Sequence, residues 1–178
     1  MRAVLRVAKA DAPKEAGRGV MLCLVPPLEV AQALALPGGL PPRELHLTLA
    51  YLGKLGEGVT PEALARLMPA ARFLAAMMPP LEARVSGLGR FSLPGGDAFY
   101  ASVDHPRLPE FRRVWVELCQ RLGAPPVLNH GFTPHITLSY LTPAAPQPLQ
   151  RLEPLACRFD SVQLWAGEGR EVFWLGRG

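Results

Sequence analysis

One seven-residue pattern occurs twice in this chain, and it limits the fold more than any other feature. His46-Leu47-Thr48-Leu49-Ala50-Tyr51-Leu52 and His135-Ile136-Thr137-Leu138-Ser139-Tyr140-Leu141 agree at five of seven positions, and the other two are conservative exchanges. They begin at residues 46 and 135, half of the 178-residue chain apart. Such a spacing predicts two structural halves that each bring one histidine to a shared site. Polar and apolar residues alternate in both segments, the pattern of a strand with one buried face. Side chains two apart share a sheet face, so His46 goes with Thr48 and His135 with Thr137. Leu45, Leu47, Leu49 and Tyr51 are expected on the opposite, apolar face, as are Ile136, Leu138 and Tyr140.

The length suits one domain with a sizeable core, a single bilobal unit over residues 1–178 with one motif in each half. Hydrophobic residues make up 49% and charged residues 19%, which excludes a disordered chain. Twenty prolines and seventeen glycines are spread along the sequence, so turns are many and no linker divides it. The net charge of +4 suits a polyanionic partner such as RNA, and equally a basic protein with no such partner. Cys23, Cys119 and Cys157 are far apart and lack metal-ligand spacing. They read as reduced thiols of a cytoplasmic protein. The early apolar run from Val20 to Pro26 is too short for a signal sequence, and no segment reaches membrane-spanning length. A soluble monomer with no membrane partner is expected.

Strands are expected at Arg2–Val7 and Val20–Val25, with a charged loop between them. A short helix over Leu28–Leu36 ends at Pro37-Gly38-Gly39. The first motif strand covers Glu44–Leu52. Thr60-Pro61-Glu62 is a helix start, with a capping hydroxyl, a proline in first position and an early acid, and that helix runs to about Met78 with a bend at Pro69. Strands at Leu81–Leu88 and Ala98–Asp104 flank a loop that contains Pro94-Gly95-Gly96. Leu108–Leu122 has helical periodicity and stops at Gly123. The second motif strand covers Thr133–Leu141, and the tail holds strands at Ala156–Ala166 and Glu171–Leu175. This order predicts an α+β fold with antiparallel-rich sheets, each covered by a helix on its outer face.

Paired histidines beside threonines fit acid–base chemistry on an anion. An imidazole titrates near neutral pH, so one can be neutral while the other is protonated. Together they supply a general base and a general acid. The threonine hydroxyls can hold a phosphate between them, with attacking and leaving oxygens on opposite sides of phosphorus. A catalytic zinc usually needs three protein ligands, and neither motif has a carboxylate or second histidine at ligand spacing. No metal and no cofactor is expected.

At these residues the chain resembles the two-histidine phosphoesterase superfamily. HLTLAYLG and FTPHITLSYL are similar to the motifs of the RNA 2′,3′-cyclic phosphodiesterases, long called 2′-5′ RNA ligases. Arg90-Phe91 and the Phe132-x-Pro134-His135 approach also match, and the likeness spans about Val20 to Trp174. It implies a bilobal, pseudo-two-fold fold around a central cleft. It also implies metal-independent opening of a 2′,3′-cyclic phosphate to a 2′-phosphate, on RNA or on a cyclic nucleotide. By motif, His46 and His135 are the catalytic pair and Thr48 and Thr137 bind phosphate. His135 is assigned as the base and His46 as the acid, although the symmetry permits the reverse. Many relatives carry a basic residue just before the Phe-x-Pro-His segment, where this chain has Asn129-His130-Gly131, so a phosphate- or base-contacting arginine is either missing or replaced by His130 or Arg43.

Phe132, Phe91 and Arg90 are further candidates for substrate contact, each balanced by a packing role. His105, in Asp104-His105-Pro106, reads as structural, and Arg112, Arg113, Arg66 and Arg72 as solvated helix faces. Two rival functions stay open: the same chemistry on 2′,5′-linked RNA or a nucleotide-derived cyclic phosphate, and a non-catalytic RNA- or nucleotide-binding module.

Overall fold

The protein is described by a computed structural model over residues 19–129 and 131–176. The expected strand at Arg2–Val7 and His130 lie outside these residues. Eight strands and three α-helices occur among the described residues, and the strands form two four-stranded antiparallel sheets. The first contains β1 (Gly19–Leu24), β2 (Leu47–Lys54), β7 (Ser161–Ala166) and β8 (Gly169–Trp174), in the order β2-β1-β7-β8. The second contains β3 (Leu81–Leu93), β4 (Gly96–Asp104), β5 (His135–Leu141) and β6 (Leu155–Phe159), in the order β5-β4-β3-β6. The helices are α1 (Leu28–Leu34), α2 (Pro61–Met77) and α3 (Leu108–Arg121).

The two halves repeat one construction. Each motif strand pairs antiparallel with the strand that precedes it through a helix: β2 with β1 across α1, and β5 with β4 across α3. The motif strands β2 and β5 are therefore edge strands, and they lie beside each other where the sheets meet. Thr60 caps α2 as its sequence foretold, accepting the Ala63 N–H at 3.2 Å. The helix continues through Pro69 and buries Ala63, Leu67, Ala71 and Ala75. One continuous apolar core takes in Leu22, Leu47, Phe99, Trp115, Ile136 and Phe159 from both halves. No helix among the described residues is long and apolar enough to cross a membrane.

Three features differ from the sequence reading. The strands on either side of Pro94-Gly95 form one long hairpin, with Phe91 paired to Ala98 and Leu93 to Gly96, so Phe91 sits within a strand. The tail segment Ala156–Ala166 is two strands, because the chain leaves one sheet at Asp160 and enters the other. Strand-forming residues resume at Val162 after only Asp160 and Ser161, with no glycine or proline to mark the crossing in sequence.

The third difference is in the motifs themselves. Cys23 pairs with Thr48 and Leu22 with Ala50, which leaves Leu49 as an extra residue on β2. Tyr100 pairs with Thr137 and Phe99 with Ser139, which leaves Leu138 as the extra residue on β5. Each half thus carries a bulge at the third residue after its histidine, and a bulge reverses the alternation beyond it. Tyr51 and Tyr140 accordingly join the threonine face instead of the core. Tyr51 is 38% exposed and Tyr140 is half-buried.

Candidate active site

Each histidine is set by its own backbone. His46 immediately precedes β2, and its Nδ1–H donates to the Glu44 carbonyl at 2.7 Å. His135 opens β5, and its Nδ1–H donates to the Thr133 carbonyl at 2.6 Å. In both cases the acceptor lies two residues upstream. A carbonyl can only accept, so each bond fixes Nδ1 as the protonated nitrogen and leaves Nε2 to work outward. The imidazoles are close enough for the charge on His135 to be felt at His46.

The hydroxyls beside them are available to a ligand. Thr48 Oγ1 has only the Met21 sulfur as a partner among the described residues, at 3.9 Å. Thr137 is half-buried, and its hydroxyl has no hydrogen-bond partner among them. Register places both threonines on the same sheet faces as their histidines.

The extra residue of each bulge has its carbonyl engaged from outside the sheet. Arg112 Nε donates to Leu49 O at 2.9 Å, and the Leu40 N–H donates to Leu138 O at 2.8 Å. A Cβ on Gly39 would overlap Leu138 O, so only glycine lets that loop approach. Beyond the first bulge the Val127 N–H donates to Tyr51 O at 2.8 Å. The edges of β2 and β5 are thereby occupied without a further strand.

Around this common frame the two histidines have different neighbours. His46 lies against Trp165 at 4.6 Å between ring centroids, tilted by 57°. Trp165 donates its indole N–H to Gln163 Oε1 at 2.9 Å and carries the Arg170 guanidinium 4.1 Å above its ring. His135 lies 5.0 Å from both Phe91 and Tyr100, which stack on each other at 4.4 Å. Burial lowers the pKa of His46 below its ordinary 6.5, the bond to Glu44 opposes the shift, and the charges of His135 and Arg170 add to it.

The remaining sequence candidates divide. Phe91 is part of the His135 surroundings. Arg90 instead spends its donors within the protein: Nε on Asp97 at 2.5 Å, Nη1 on Ala145 O at 2.6 Å and Nη2 on Thr142 O at 3.1 Å. It fastens the turn in which Ala144 takes a φ of 64°. Phe132 packs on the core beneath Arg112, whose Cζ is 4.5 Å above its ring. Arg112 is therefore not the solvated side chain that its helix position suggested, whereas Arg113 is exposed and pairs with Glu117. Arg43 is exposed, two residues before Leu45. His105 accepts the Arg107 N–H at 3.2 Å at the start of α3, a structural role. Trp165, Arg170 and Tyr100 were not singled out in the sequence. The Gln163-Leu164-Trp165 alternation and the Gly167–Gly169 turn foretell Arg170 opposite Trp165, but not which sheet the hairpin joins. Among the described residues no group of three or more His, Cys, Asp or Glu side chains could hold a metal ion.

A profile of the 2′-5′ RNA ligase superfamily matches residues 24–171 of the chain. The chain superposes on the crystal structure of TT0787 of Thermus thermophilus with a TM-score of 0.63 and 25% identity, covering 90% of this chain and 98% of that one. LigT of E. coli, crystallised with 3′-AMP, gives 0.62 at 20% identity over 89% and 95% of the two chains. Usb1 of Kluyveromyces marxianus gives 0.55 at 11% identity over 92% and 100%. At those last two identities the likeness is one of fold. No curated protein sequence matches the chain.

Proposed function

The chain belongs to the 2′-5′ RNA ligase superfamily, and from that premise we propose that it is an RNA 2′,3′-cyclic phosphodiesterase working by histidine acid–base catalysis. The observation that carries this reading is the duplicated clamp. Two imidazoles on adjoining edge strands each have Nδ1 tied to a carbonyl two residues upstream and a threonine hydroxyl two residues downstream. A phosphate between them meets a nitrogen on each side and a hydroxyl from each half. LigT, which shares the fold, has been crystallised with 3′-AMP and with phosphate, which is consistent with a phosphate-binding cleft here.

His135 Nε2 takes a proton from water as the oxygen attacks phosphorus. The bond from phosphorus to the ribose 3′-oxygen breaks, and His46 Nε2 protonates that oxygen, leaving a 2′-phosphate. Thr48 and Thr137 hold the non-bridging oxygens as charge develops. Burial above all, with the charge of Arg170 adding to it, lowers the pKa of His46 in the free protein. A bound phosphate reverses that balance, since a nearby anion favours the imidazolium. Substrate thus brings the acid into its working protonation state. Both halves form one functional unit, because each supplies half of the acid–base pair.

The test is hydrolysis of an RNA with a 2′,3′-cyclic phosphate end in the presence of EDTA, with the product identified as 2′- or 3′-phosphate. Turnover to a 2′-phosphate is expected. Loss of activity in EDTA with rescue by a divalent ion would defeat the side-chain mechanism. A 3′-phosphate product would mean that the substrate binds the other way round.

A further inference from the structure

We propose that Arg170 contacts a second phosphate, the phosphodiester on the 5′ side of the terminal nucleotide of an RNA whose cyclic end lies between the histidines. This rests on the function proposed above and adds a preference for oligonucleotides over mononucleotides. Arg170 follows the Gly167–Gly169 turn and pairs with Trp165 across β7 and β8. Register puts both on the same sheet face as Thr48, because Trp165 pairs with Met21 and Met21 with Tyr51. The guanidinium is exposed but held in place. It stacks on the indole, and Nη1 donates to Gly167 O at 2.6 Å and Gly169 O at 2.9 Å.

Nε and Nη2 make no bond among the described residues, and no carboxylate among them pairs with Arg170. Arg72, Arg90, Arg107, Arg113, Arg151 and Arg158 each have an acidic partner. Arg170 shares the lack of one with several other arginines, but among the described residues it is the one stacked on a ring that touches a motif histidine. Adjacent Glu171 pairs with Arg72 instead. A guanidinium with two outward donors, already ordered by stacking, suits bidentate contact with a phosphate at little cost in side-chain freedom. The indole of Trp165 touches both the Arg170 guanidinium and the His46 imidazole. A cation one ring removed from His46 is within reach of the next phosphate along a strand whose end lies between the histidines.

The experiment compares wild type, R170A and R170K on a 2′,3′-cyclic mononucleotide and on a short oligoribonucleotide ending in the same cyclic nucleotide. For R170A, kcat/KM on the oligonucleotide should fall about tenfold further than on the mononucleotide, the size of one lost charged hydrogen-bonding contact, and mostly through KM. The slope of log KM against log salt for the oligonucleotide should drop by about 0.7, the value for one phosphate contact on a single strand. R170K keeps the charge and should recover part of both. Equal losses on the two substrates, or no loss on either, would overturn the assignment. If wild type turned over neither substrate, the phosphodiesterase reading itself would fall and take this inference with it.

Discussion

β2 and β5 are nearly the same strand set in two different surroundings. Both bulge at the third residue after the histidine, and both tie the histidine to a carbonyl two residues back. Around His46 the neighbours are an indole and a guanidinium. Around His135 they are a stacked phenyl and phenol. The duplicated part holds two imidazoles in the same way, as the proposed acid–base pair would require. The part that differs comes from strands that do not carry the motif: β7 and β8 on one side, β3 and β4 on the other. Two similarly held imidazoles thus lie in different surroundings, and under the proposed function that asymmetry would give a bound strand a direction.

Removing each histidine in turn probes the part that the two strands share. His46→Ala and His135→Ala should each lower cyclic-phosphate hydrolysis by roughly 10²–10⁴-fold, with far-UV circular dichroism unchanged. The double variant should lose less than the product of the two, because the pair acts as a unit. Near-normal activity in either single variant would remove that histidine from the mechanism.

A substrate with an activated leaving group separates the two roles. It no longer needs an acid, so the His46→Ala enzyme should regain much of its rate on it while the His135→Ala enzyme should not. The opposite rescue would exchange the roles.

The halves are also coupled through Arg112, which bonds the first bulge at Leu49 O and covers Phe132 near the second motif. Arg112→Ala should lower stability by about 1–2 kcal/mol, the cost of a lost hydrogen bond from a charged donor on a half-buried carbonyl. Urea titration measures this, and an unchanged midpoint would show that the bulge holds without the bond.

The smallest effect is in pH dependence. If His46 is the acid, kcat/KM should fall as pH rises through the lowered pKa of the free protein. The matching limb of kcat should lie at higher pH, because bound phosphate raises that pKa. If His46 were the base, the low-pH limb of kcat/KM would be the one that moves down. Stability follows the same shift. The unfolded chain takes up the His46 proton near 6.5 and the folded chain only at lower pH, so stability should decline as pH falls through that window. His46→Gln should show a smaller drop in Tm between pH 7 and pH 5 than wild type.

Gly89 shows what was hidden from the sequence. A Cβ there would overlap the Tyr100 ring, so glycine in β3 is what lets Tyr100 lie beside His135. Nothing local to Gly89 announces this, because Tyr100 comes from the next strand. The same holds for Phe91, which local pattern places at a strand end, whereas β3 runs on past it to Leu93. Bulges are equally silent. Alternation read by eye continues through Leu49 and Leu138, and only cross-strand partners reveal the extra residue that turns Tyr51 and Tyr140 outward.

Short-range patterns were enough to locate the two motif strands, the helices around Thr60 and Phe111, the α+β class and the two candidate histidines with their threonines. Each of these rests on periodicity, capping or a repeated pattern within a few residues. Long-range pairing was needed to make the motif strands adjoining sheet edges and to divide the tail between two sheets at Asp160. It also brings Arg170 and Trp165 beside His46 while holding Arg90 inside the protein. These outcomes depend on contacts between segments as far apart as residues 21 and 165. No local propensity records such pairings, because the burial and hydrogen bonds that select among them exist only once the chain has closed on itself.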